Sequence, residues 1–200
     1  MELDNMWIDL AILKITGKDA FDFLQGLLTT DMQKVVDAPQ KGALCNNQGR
    51  VIASFDIQKT IDGYELLLPK LNADKTLKSL QKYARFSNVQ LGVIATTKQL
   101  DLLESIQKKI AVILPETSEK FTPHELNYQH LQFISFDKGC YVGQEIIARM
   151  HYLGKLKKQL QHITSLTKQG ASSESETLVN IAFNPTTNFY EMLVVKKITP

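Results

Sequence analysis

Lys138-Gly139-Cys140-Tyr141-Val142-Gly143-Gln144-Glu145 is the stretch on which the reading of this chain turns. Two glycines flank a cysteine and an aromatic residue, so the backbone is free to fold tightly on either side of the thiol. Gly143 to Met150 carries a helical pattern, with Glu145 and Arg149 four apart, the spacing of a helix-surface ion pair. Cys140 then stands just ahead of a helix N-terminus, where unpaired N–H groups and the macrodipole favour a thiolate. Lys138, two residues away, adds positive potential. Such a thiol suits a nucleophile, a redox centre or a cluster ligand. The bland alternative is a buried cysteine that behaves as a small hydrophobe. Gln144 is in the same position: a site residue or a surface amide.

Working towards the N-terminus, the chain alternates strand and helix patterns. Trp7 to Ile15 reads as a first strand and Gly17 as a turn. Asp19 is placed to cap a helix to about Leu28, with Ala20, Phe23, Leu24, Leu27 and Leu28 on one face. Lys41 to Cys45, Arg50 to Thr60 and Tyr64 to Leu68 form a meander, joined by turns at 46–49 and at Asp62-Gly63. Pro69 opens a helix to about Tyr83, with Leu71, Leu77, Leu80 and Ala84 at helical spacing. Val89 to Ala95 reads as a strand, Leu100 to Lys108 as a helix, and Ile110 to Leu114 and Leu131 to Phe136 as short strands. Pro123 to Leu126 suggests a helical turn.

Beyond Gly154 the pattern turns to strands: Lys157 to Thr164, Thr177 to Phe183 and Phe189 to Ile198, with a flexible loop over Gly170 to Ser175. The expected class is α+β, with a boundary near residue 153 that divides 1–153 from 154–200.

Composition narrows the function classes. The chain has 200 residues, 44% hydrophobic and 22% charged, enough for a core without disulfide staples. Cys45 and Cys140 make no metal-ligand spacing with the four histidines, so no metal site is expected and reduced thiols are the simple reading. No second residue completes a catalytic set with Cys140: His124 and His130 read as surface residues, and His151 as part of a later helical turn. There is no phosphate-binding loop, dinucleotide fingerprint or zinc signature.

The acidic start and the lack of an apolar run of about 20 residues point to a cytoplasmic protein with no membrane association. Asp137 to Lys168 holds six Lys or Arg against two acids. This is either a solvated lysine-rich face or a local anion site for a polyglutamate tail, phosphate or RNA. Few aromatic residues interleave with these lysines in the linear sequence, which argues against stacked single-stranded RNA.

Four segments together carry a resemblance. They are Gly17 to Asp31 (GKDAFDFLQGLLTTD), Ala43 to Val51 (ALCNNQGRV), Phe121 to Asn127 (FTPHELN) and Phe136 to Arg149 (FDKGCYVGQEIIAR). In this order they resemble the YgfZ-type folate-binding proteins, whose signature reads K-G-C-Y-x-G-Q-E followed by Ala-Arg. That family is related to the glycine-cleavage T-protein, a tetrahydrofolate-dependent aminomethyltransferase. The resemblance implies domains around a central opening where folate binds, plus a C-terminal β-barrel. It implies an accessory role in assembling or repairing iron–sulfur enzymes, including those that thiolate tRNA, so that tRNA is affected only indirectly. Cys140 matches the thiol on which that role depends. Lys138, Gly139, Tyr141, Gly143, Gln144, Glu145 and Arg149 of the signature, with Asn46 and Arg50 of the hairpin, are the implied folate contacts.

Two departures shape the expectation. Ala53 and Ser54 stand where the T-protein carries the acid that assists folate chemistry. A methyl or hydroxyl offers no carboxylate there, which disfavours the alternative of an aminomethyltransferase-like one-carbon enzyme. The chain is also short between about Leu91 and Phe121, and its C-terminal strands are too few for a barrel. The expected architecture is therefore a T-protein-like folate-binding fold with a shortened middle part and a small C-terminal β appendage. A binding or scaffold module that has lost its pocket is the remaining alternative.

Overall fold

Alternating apolar residues drive the first strand into a sheet. In β1 (Trp7–Thr16) the side chains of Leu13 and Ile15 are fully buried, while Ile12, Lys14 and Thr16, which alternate with them, are partly exposed. The computed structural model describes residues 6–168 and 176–198. β2 (Gln40–Cys45), β3 (Val51–Thr60) and β4 (Gly63–Pro69) form the expected meander, and β5 (Gln90–Asp101) completes a five-stranded antiparallel sheet in the order β2-β3-β4-β1-β5. β3 is buried on both faces from Val51 to Phe55, as a central strand requires. One core gathers Leu13, Ile15, Leu66 and Leu68 of the sheet with Phe23 and Leu24 of α1 (Ala20–Gln25) and Leu80 of α2 (Lys70–Ala84).

A three-stranded sheet, β6-β8-β7, follows from β6 (Lys158–Ser165), β7 (Glu176–Asn184) and β8 (Phe189–Lys197). Its residues Leu160, Val179, Leu193 and Val195 join a second core with Ile106, Tyr128, Tyr141 and Ile147. The loop expected over Gly170 to Ser175 lies wholly outside the described residues.

Several local expectations change. α1 ends at Gln25 rather than near Leu28, and Asp19, although at its N-cap, makes no side-chain cap bond: its carboxylate accepts the Asn88 N–H at 2.6 Å instead. In α2 the buried face is Asn72, Ala73, Thr76 and Leu80, and Leu71 is turned to solvent. The expected helix at Leu100 starts two residues later, as α3 (Leu102–Gln107), because Asp101 caps it by accepting the Glu104 N–H at 3.0 Å.

Ile110 to Leu114 is not a strand. At its centre one side chain takes the place of a partner strand: the Val112 N–H donates to Asn180 Oδ1 at 2.8 Å, and Asn180 Nδ2 donates back to the Val112 carbonyl at 2.9 Å. A register shift in β7 between Leu178 and Asn180 accompanies this buried amide. Leu131 to Phe136 is irregular for a like reason. Thr29 Oγ1 donates to the Phe133 carbonyl at 2.6 Å, and the Ser135 N–H donates to the Thr29 carbonyl at 2.9 Å.

Candidate functional site

The four motif segments, scattered over more than a hundred residues, pack into one unit. The hairpin turn at 46–49 is built by Asn46, whose Oδ1 accepts the N–H groups of Gln48 and Arg50, both at 3.0 Å. Gly49 lies in the left-handed region at φ +70°, and Ile146 packs against it. Asn46 Nδ2 donates to Glu119 at 3.0 Å, and the Arg50 guanidinium donates to the Lys120 carbonyl. The Lys75 ammonium, 2.9 Å from Glu119, and the Asn46 amide hold that carboxyl below the usual range. Asn46 and Arg50, expected as folate contacts, thus tie the hairpin to residues 119–120.

Signature residues interlock with this hairpin and with the first motif. Gly143 sits at φ +81° and opens α4 (Gln144–Leu153). A Cβ there would lie 2.5 Å from the Asn46 carbonyl oxygen. The Val142 N–H donates to the Gly26 carbonyl at 3.2 Å, and Gln144 Oε1 accepts the Tyr141 N–H at 3.3 Å. Tyr141 is buried in the second core, whereas Val142 packs against the first. Burial pushes the Tyr141 hydroxyl well above its ordinary pKa, and that hydroxyl has no hydrogen-bond partner.

Lys138 departs most from expectation. Its side chain is buried, and Nζ donates to the carbonyls of Gln25, Leu28 and Thr30 at 2.7, 2.7 and 2.8 Å. These carbonyls lie at and beyond the C-terminus of α1, where a cation complements unpaired acceptors. The ammonium is engaged there rather than left free beside the thiol. Burial lowers its pKa to about 8, partly offset by Asp31.

Cys140, by contrast, is exposed, and the space around Gly139 is open. Glu145 and Arg149 are exposed on α4 and form no ion pair with each other among the described residues. The other cysteine, Cys45, is buried, and burial pushes its thiol up to about 12. One thiol is therefore available to a partner in solution and the other is sealed. Among the described residues no group of three or more His, Cys, Asp or Glu is placed to hold a metal ion.

Two features escaped the sequence reading. The first is a cavity of about 340 Å³ lined in part by Asp31, Gln129, Ser135, Phe136 and Asp137. Gln129 Oε1 and Ser135 Oγ are buried there without partners, and Asp31 Oδ1 accepts from Gln25 Nε2 and the Gln33 N–H. In the sequence Asp31 is only the last residue of the first motif segment, and Ser135-Phe136 the end of an expected strand. The second is His124, buried rather than on the surface, with neither ring nitrogen paired. Its ring centroid is 6.2 Å from that of Phe136 and 6.0 Å from that of His151. Burial, helped by His151 and His130, lowers its pKa to about 4.

That shift has a definite sign. The unfolded chain binds a proton at this histidine near pH 6.5 and the folded chain only near 4. The unfolded state holds more protons in between, so stability present above about pH 6.5 is lost as pH falls towards 4. Denaturant titrations at pH 7.0, 5.5 and 4.5 should show wild type losing on the order of 2 kcal/mol more than His124→Phe over this range. Parallel losses in the two proteins would remove His124 from the account.

No family model matches the chain. The tRNA-modifying protein YgfZ of Colwellia psychrerythraea is 25% identical over 231 residues, covering 81% of this chain and 71% of that protein. That alignment is longer than the 200-residue chain, so the relative has stretches with no counterpart here. The tRNA-modifying protein YgfZ of Buchnera aphidicola subsp. Schizaphis graminum is 34% identical over 165 residues, covering 82% of this chain but 45% of its own length. Among solved structures, the glycine cleavage system aminomethyltransferase T from Bartonella henselae superposes with a TM-score of 0.64 at 10% identity. It covers 96% of this chain and 78% of that one, a likeness of fold. The fold is thus α+β of the glycine-cleavage T-protein type, with a small C-terminal sheet. In sequence the chain is similar to the YgfZ proteins, in agreement with the motifs quoted from it.

Proposed function

We propose that this chain is a cytoplasmic, folate-binding accessory protein that supports the assembly or repair of iron–sulfur enzymes, and through them tRNA modification, with Cys140 as its reactive thiol. The observation that carries this reading is the packing of four motif segments into one unit that buries Cys45 and leaves Cys140 at the surface. One thiol is too few to hold a cluster within the chain, since clusters usually take about four ligands. The partner is therefore an iron–sulfur enzyme or its assembly machinery, met transiently. In this reading residues 1–153 are the folate-binding core and 154–200 a β appendage that helps close it. Against aminomethyl transfer stand Ala53 and Ser54, both buried in β3 with no carboxylate to offer.

The cavity beside Asp31 fits a folate head group. Its volume of about 340 Å³ falls at the lower end of ligand sites. A pterin presents an aminopyrimidinone edge with N–H donors, and Asp31, Gln129 Oε1 and Ser135 Oγ are acceptors of the matching kind. When bound, tetrahydrofolate supplies one-carbon carrier chemistry. The chain's own residues orient it and shield it from water, with Phe136 as an apolar wall. In this reading Gln144, Glu145 and Arg149 of the signature are further contacts for the bound folate.

Anaerobic calorimetric titration of tetrahydrofolate should give saturable one-site binding, weakened at least ten-fold in Asp31→Asn, about 1.4 kcal/mol. A folded protein that takes up no folate would overturn the folate part of the proposal.

A further inference from the structure

We propose that the C-terminal end of α4 and the segment after it form a docking surface for single-stranded RNA, with bases stacking on an exposed aromatic platform. The argument starts from three rings: His151 and Tyr152 at the end of α4, and Phe136, which the fold brings in from the other side of the signature loop. Phe136 and His151 are stacked with ring centroids 3.7 Å apart and planes at 15°. Tyr152 stands edge-on to His151 at 4.8 Å and 79°. His151 and Tyr152 are exposed, Tyr152 at 65%. The core does not account for a tyrosine left this open on the last turn of a helix.

Charge around the platform selects the occupant. Arg149 precedes the rings on α4, and Lys155 and Lys157 follow Gly154. All three are exposed, and none is in an ion pair among the described residues. Asp137 and Glu145 are the acids nearest in sequence, so the excess is positive. Aromatic faces bracketed by unpaired cations are what a single strand meets: phosphates on the cations, unstacked bases on the rings. A duplex hides its base faces and gains only the charge term.

The linear sequence conceals this surface, because Phe136 reaches His151 only when the signature loop folds back onto α4. The proposal depends on neither folate nor Cys140. It goes beyond the accessory reading, in which RNA is affected only indirectly.

The test is fluorescence anisotropy of an end-labelled, mixed-sequence 12-nucleotide RNA titrated with the full chain at 50 mM salt. Saturable binding is expected. With about three phosphates neutralised, log affinity should fall against log salt with a slope of about −2. Tyr152→Ala and the double variant Lys155→Glu/Lys157→Glu should each weaken binding at least ten-fold, with unchanged circular dichroism. The same RNA annealed to its complement should bind at least five-fold more weakly. Wild-type affinity in Tyr152→Ala would reduce the surface to a charge effect and overturn the proposal. So would no saturable binding up to 100 μM, or binding to vesicles with 30% anionic lipid in the absence of RNA binding.

Discussion

Cys140→Ala should return a strain lacking its own YgfZ-type protein to the deletion level of iron–sulfur enzyme activity, at least a ten-fold loss relative to wild type. Its stability should stay within about 0.5 kcal/mol of wild type, because an exposed side chain away from any cap or core contributes little to folding. Cys45→Ala should do the reverse. Its side chain is buried in the second core, so truncation costs on the order of 1–2 kcal/mol while leaving activity intact at permissive temperature. Thiol labelling of the native protein should modify Cys140 and spare Cys45, whose thiol is both enclosed and pushed up to about 12. A Cys140→Ala protein that sustains wild-type activity would end the thiol mechanism, whatever the folate titration shows.

Gly143→Ala should be the most destabilising single-methyl change in the signature. Two costs add. A non-glycine residue held in the left-handed region costs about 1–2 kcal/mol, and Gly143 is at φ +81°. The new Cβ would also lie 2.5 Å from the Asn46 carbonyl oxygen, a backbone atom that cannot swing aside. Together they should cost about 2–4 kcal/mol, a fall of roughly 5–15 °C in Tm for a chain of this size. Gly139→Ala is the internal control, since a Cβ there meets open space, and it should shift stability by under about 0.5 kcal/mol. Equal behaviour of the two variants would show that hairpin and signature are not locked together at Gly143.

The regular elements were legible because period and turn chemistry agree. The alternation in β1, Gly63 between β3 and β4, and Pro69 before α2 each place an element within a residue or two of where it lies. What failed was regularity inferred from short apolar runs. Ile110 to Leu114 and Leu131 to Phe136 look like strands, yet at the middle of each a backbone group pairs with a distant side chain, Asn180 or Thr29, rather than with a neighbouring strand. Such pairings span 68 and 104 residues, and no local pattern announces them.

The candidate site was legible as a set of motifs but not as a geometry. Lys138 looked like an electrostatic neighbour of the thiol because both lie on one short stretch. The fold instead turns its ammonium inward onto carbonyls at and beyond the end of α1. His124 looked polar and therefore exposed, but the rings of Phe136 and His151 enclose it. The cavity beside Asp31 draws on three separate segments, and only the fold brings them together.

The inward turn of Lys138 also bears on when this protein becomes competent during its own synthesis. Its ammonium reaches carbonyls 108 to 113 residues earlier, and the Val142 N–H reaches Gly26. Contacts of such sequence separation pay their loop-closure entropy late, after the local meander of β2 to β4 has formed. A nascent chain that has emerged only as far as the small cavity's walls has its main sheet but no ordered thiol loop. Cys140 is thus presented in its native setting only once both halves of the core exist, so the half-made protein does not display the ordered loop that carries this exposed thiol.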